Sequence, residues 1–77
     1  MNYIPAVDLA ATGANILRLR VERAMTVKDL QRIFGFSTPQ AIYNWQQGKD
    51  LPTVDNLVIL ASVFEVTLDE IVVVSRR

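Results

Sequence analysis

Residues 26–48 read TVKDLQRIFGFSTPQAIYNWQQG, and two short helical patterns meet within them at Gly35. Thr26 can cap free amides at the start of the first, with Asp29 three residues on to complete a reciprocal capping box, while Val27, Leu30, Ile33 and Phe34 recur as an apolar stripe. Gly35 stops this segment, because glycine takes the left-handed conformation of a helix end without steric strain. After the turn FSTP the second pattern opens. Pro39 suits a first helical position and disfavours a helical backbone at the residue before it, which predicts Thr38 as the cap. Ile42 and Trp45 share one side of this helix, Gln40, Tyr43 and Asn44 lie off it, and Gly48 ends it. A helix with one apolar side and one amide-bearing side can be anchored by the first and present the second outward.

Working outward, an upstream helix is expected from Thr12 or Gly13 to Arg23, with Ile16, Leu17 and Leu19 facing inward and Arg18, Arg20 and Arg23 around the outside. Downstream, Pro52 and Thr53 introduce a fourth helix in which Leu57, Leu60, Ala61 and Phe64 recur at helical spacing. Thr67 with Glu70 predicts another capping box and a short fifth helix through Leu68 and Ile71. Two stretches read as extended: Tyr3, Ile4, Ala6 and Val7 at one end, and the β-branched run Val72, Val73 and Val74 at the other. They either cover the molecule's own core or form the seam of a homodimer. The expected fold is all-α, a compact five-helix domain over residues 1–77 with short extended terminal tails.

Composition narrows the chemistry. Seventy-seven residues, 51% hydrophobic and 21% charged, suit one compact soluble domain. There is no cysteine and no histidine, so disulfides, thiol chemistry and the common zinc sites are absent, and no cofactor or metal is expected. Catalysis is not expected either, since the carboxylates stand apart and no Gly-rich phosphate loop or nucleophile motif accompanies them. The N-terminal stretch lacks a basic region before its apolar residues and is broken by Pro5 and Asp8, and no run approaches the roughly 18 apolar residues of a membrane span. A cytoplasmic protein without membrane attachment is the expectation. Net charge is zero but unevenly placed. Residues 14–49 hold six cations against two carboxylates, net +4, and residues 50–77 hold two against five, net −3, with Asp8 as the remaining charge. A domain polarised in this way can turn its positive part to phosphates, although a solvated mixture of charges has the same composition.

With two short helices hinged at Gly35 inside a five-helix chain, residues 14–72 resemble the XRE-like family, the phage repressor and Cro type of helix-turn-helix DNA-binding domain. The resemblance is carried by the arginine-studded first helix, TVKDLQRIFGFS, the segment IYNWQQGKDLPTVDNL with its Gly-Lys-x-x-Pro, and the closing LASVFEVTLDEI. It implies double-stranded DNA as partner, a role as a small transcriptional regulator, and a third helix read into the major groove. The family's base readers would fall here on Thr38 or Pro39, then on Gln40 and Asn44. By their charge Arg20, Lys28 and Lys49 are the expected phosphate contacts. Gln40 and Asn44 fit that role by chemistry, since a side-chain amide meets the acceptor and donor of adenine with two hydrogen bonds and residues four apart share a helix face. They are otherwise ordinary surface amides. Pro39 can offer only apolar contact. Tyr43 is either a phosphate contact through its hydroxyl or an exposed tyrosine without a role, and Trp45 is read as core.

Four positions depart from the family pattern. The turn FSTP holds one residue more than usual, and Gln31 stands where a small alanine commonly lets the two helices approach, so the third helix is expected to swing outward, with Ala41 as the small surface. Val27 replaces a glutamine that often touches the DNA backbone. Gln46 replaces a glutamate that pairs with the first-helix arginine, here Arg20, which leaves Arg20 free to reach a phosphate. A rival reading keeps the fold and discards the DNA: a protein-interaction module, as in an antitoxin or a repressor antagonist, with a regulatory protein as partner.

Overall fold

Asp8 begins the helical body. Its side chain accepts from the Ala11 amide at 2.9 Å, and the first helix, α1, runs Leu9–Glu22. The computed structural model describes residues 4–76, and continues through α2 (Val27–Phe34), α3 (Gln40–Gln46), α4 (Val54–Phe64) and α5 (Leu68–Ile71), with short strands β1 (Pro5–Val7) and β2 (Val74–Arg76) at the two ends. The start expected at Thr12 or Gly13 is therefore a full turn too late. An aspartate cap outcompetes the glycine as a boundary, and Gly13 serves inside the helix as a point of close approach.

The core joins Ile16 and Leu19 of α1, Leu30 of α2, Ile42 and Trp45 of α3, Leu57, Leu60 and Phe64 of α4, and Ile71 of α5. Two residues expected inside are not. Leu17 is 40% exposed and Ile33 47% exposed, because each lies one residue, about 100° of rotation, off the stripe that its helix buries. Caps decide the helix ends. Thr26 and Asp29 form the expected capping box, Gly35 closes α2 at φ +71°, and the Thr53 hydroxyl accepts from the Asn56 amide. Thr67 precedes α5 but its side chain makes no cap bond; its backbone carbonyl takes the Glu70 amide instead, so the second predicted capping box does not form. Arg23 ties α1 to the end of α4 by donating from Nε to the Phe64 carbonyl at 2.8 Å.

The two extended stretches find each other. β1 and β2 pair antiparallel, Pro5 opposite Arg76, Ala6 opposite Ser75 and Val7 opposite Val74. The all-helical expectation thus gains a two-stranded sheet, with Val72 and Val73 half-buried and Val7 and Val74 exposed. Tyr3 lies outside the described residues. Buried Thr12 anchors the pair to α1: its hydroxyl accepts from the Val73 amide, Asn15 donates to the Ile71 carbonyl, and the Asp8 amide donates to the Val73 carbonyl.

Candidate nucleic-acid interface

α3 is held by contacts on three sides, and they leave one face to solvent. On the turn side, Phe34 and Phe36 stack at 5.1 Å, and both meet the Trp45 ring edge-on at 5.3 and 5.9 Å. Such offset and T-shaped pairs add to the burial of Trp45, which is 4% exposed. Phe36, a turn residue without a helical period, was not singled out by sequence pattern. On the α1 side, Gly13 gives the close approach: a Cβ there would lie 2.1 Å from the Trp45 carbonyl oxygen. Past the helix, Gly48 turns at φ +73° with room only for hydrogen against Ala10.

Arg20 completes the mooring. Its Nε donates to Gln46 Oε1 and its Nη1 to the Met25 carbonyl, each at 2.8 Å. The expectation that Arg20 is released by the loss of a glutamate is overturned, because an amide oxygen accepts from a guanidinium as a carboxylate does. Gln31 is likewise occupied on the turn, donating from its side-chain amide to the Phe36 carbonyl at 3.2 Å, and Ala41 packs half-buried against the core.

The start of α3 falls one residue later than expected. Pro39 occupies the cap position at φ −83°, ψ 3°, and its carbonyl accepts the Tyr43 amide, so it precedes the helix instead of opening it. Thr38 makes no cap bond and is exposed in the turn. From this start Gln40 projects into solvent and Asn44 is half-buried beside it, on the side away from Ile42 and Trp45. Gln40 Nε2 donates to Asn44 Oδ1 at 2.9 Å, and Asn44 Nδ2 donates in turn to Asp50 Oδ2 at 3.3 Å. By sequence Asp50 belongs only to the acidic half. It returns to this face because the turn through Gly48 brings the Lys49 and Asp50 amides back to the Asn44 carbonyl. Tyr43 is 41% exposed, and Lys49 is exposed in the loop that follows.

Around α2, Lys28, Gln31, Arg32, Gly35 and Phe36 line an open depression of about 460 Å³. Lys28 is exposed, and Arg32 reaches Asp29 at 3.5 Å. The Asp29 carboxyl is held below its ordinary range chiefly by the Thr26 backbone amide, then by the Thr26 hydroxyl and the Arg32 charge. Cations therefore stand on α1, α2 and the loop after α3, whereas Asp55, Glu65, Asp69 and Glu70 follow on α4, its cap and α5. Among the described residues, no helix is long and apolar enough to cross a membrane.

Comparison with known proteins agrees with this fold. No curated protein sequence matches the chain. The crystal structure of the DNA-binding domain of BldD is similar in fold, with a TM-score of 0.72 at 18% identity, over 86% of this chain and 94% of that one. A family described as helix-turn-helix matches residues 16–71, spanning α2, the Gly35 turn and α3 together with the helices that pack on them. The chain belongs to the XRE-type helix-turn-helix family.

Proposed function

We propose that the protein is a cytoplasmic transcriptional regulator, a single helix-turn-helix domain that binds double-stranded DNA in a sequence-specific way with α3 in the major groove. The observation that carries this reading is the split of α3 into a moored side, Ile42 and Trp45, and a solvent side bearing Gln40 and Asn44. The major groove admits a helix, and amides are the side chains that read adenine with two bonds. Thr38 and Pro39, at the entry to α3, lie where the first contacts with the duplex fall. Lys28, Lys49 and Tyr43 supply phosphate contacts, which fix register without specifying sequence. A module of this size covers few base pairs, so selectivity calls for a homodimer on half-sites about 34 Å apart. No enzymatic activity or cofactor belongs to this reading.

The test is a selection of duplexes from a randomised pool, followed by titration of Asn44→Ala. This substitution is expected to erase preference at one base pair, at a cost of about 1–3 kcal/mol on the selected site, while leaving mixed-sequence affinity nearly unchanged. Equal weakening on selected and random DNA would sink direct readout by Asn44. A second reading, a regulatory protein as the partner of the same face, is favoured by the Asp50 carboxylate beside Asn44 and by the zero net charge. Undetectable binding to mixed-sequence DNA at low salt would select it.

A further inference from the structure

We propose that Asp50 is a positioning residue for base recognition, setting through Asn44 the orientation in which Gln40 meets an adenine. This rests on the DNA reading above and deepens it. The amides of Asn and Gln are directional, with a carbonyl at one end and an NH2 at the other, and nothing in an isolated amide decides which end faces a neighbour. A carboxylate decides, because when ionised it only accepts. Asp50 Oδ2 takes the hydrogen bond from Asn44 Nδ2 at 3.3 Å, so Asn44 must turn its carbonyl the other way. That carbonyl receives Gln40 Nε2 at 2.9 Å. The relay leaves Gln40 with its Oε1 and one N–H uncommitted, an acceptor beside a donor, which is the pair that adenine N6 and N7 require.

The backbone supports the same arrangement. The Lys49 amide donates to the Asn44 carbonyl at 2.9 Å, and the Asp50 amide approaches the same oxygen at 3.5 Å, so the loop that carries the carboxylate is tied to the residue it orients. A carboxylate on a face that meets phosphates weakens general affinity, and the gain that offsets this is selectivity.

The experiment uses the full chain and the randomised duplex pool. Selection with the wild type and with Gln40→Ala identifies the base pair that Gln40 reads, expected to be adenine. Duplexes differing only there are then titrated with Asp50→Asn and Asp50→Glu. Asparagine carries an NH2 that can donate to Asn44 as well as an oxygen that can accept, so it no longer decides, whereas glutamate keeps a carboxylate that only accepts. Asp50→Asn is expected to lose about five- to tenfold of the adenine preference, and Asp50→Glu to keep most of it. Asp50 is exposed, so both variants should melt with the wild type. Equal behaviour of the two variants, whether equal loss or equal retention, overturns the proposal, and so does a cytosine at that position whose preference disappears with Asp50, which would make the carboxylate a direct reader. Wild-type protein that binds no duplex in the pool overturns the DNA reading itself, and this inference with it.

Discussion

Gly13, Gly35 and Gly48 look alike in the sequence and do different work. Gly35 needs only its left-handed backbone, at φ +71° with open space around its Cβ position. Replacing it with alanine should cost the strain of that conformation, about 1–2 kcal/mol. Gly13 has an ordinary helical backbone but lies against the carbonyls of Trp45 and Gln46, which are backbone atoms and cannot swing away as a side chain would. Gly48 combines both conditions, with a Cβ 2.8 Å from the Ala10 Cα. We therefore expect Gly13→Ala and Gly48→Ala each to destabilise the fold by more than Gly35→Ala, because overpacking of about 1–3 kcal/mol or more is forced between backbones. Urea denaturation of the three variants gives the order. If Gly13→Ala proved the mildest, the close contact between α1 and α3 would be wrong.

At the scale of elements, α2 is the one whose limits were fully legible, since its cap, its box partner and its terminal glycine are all local chemistry. Thr26→Ala should cost about 1 kcal/mol. Asp29 adds a pH dependence with a definite sign. Its pKa is lowered in the folded chain, so its contribution is complete above the ordinary carboxylate range and is lost as pH falls through the lowered value. Denaturation of wild type and Asp29→Asn between about pH 6 and about pH 2 should show a wild-type advantage that is level at the upper end and shrinks on acidification. An advantage independent of pH would remove the box. The other boundaries were less legible for physical reasons. The Asp8 cap is hidden because Gly13 reads as a helix boundary in the sequence and is a point of close approach in the fold. The start of α3 is ambiguous by one residue because proline suits both the cap and the position after it. The membership of Gln40, Asn44 and Trp45 in one helix is readable from spacing, and the tryptophan's place inside from the stripe it shares with Ile42 together with the family resemblance. The relay to Asp50 is not, because it depends on the path of the loop after Gly48.

Over the whole molecule, zero net charge conceals a cationic segment, and the structure separates the charges in it by duty. Arg18 pairs with Glu22 at 3.1 Å, Arg32 with Asp29, Arg23 holds the Phe64 carbonyl, and Arg20 holds Gln46 and Met25. Lys28 and Lys49 are exposed outside these bonds. Were all the cations equivalent, each would contribute alike to the release of counterions from DNA. The bonding predicts otherwise. Lys28→Ala and Lys49→Ala should each flatten the slope of log affinity against log salt by about 0.9, and the double variant by about twice that. Arg20→Ala should act on stability instead, costing about 1–3 kcal/mol for the charge-assisted bonds it removes and leaving the slope nearly unchanged. Salt titrations on mixed-sequence duplex, paired with denaturation of the same variants, separate the two effects. Should Arg20→Ala flatten the slope as a lysine does while unfolding at the wild-type denaturant concentration, its guanidinium would have to leave Gln46 for a phosphate, and the mooring of α3 would rest on Ile42, Trp45 and the glycines.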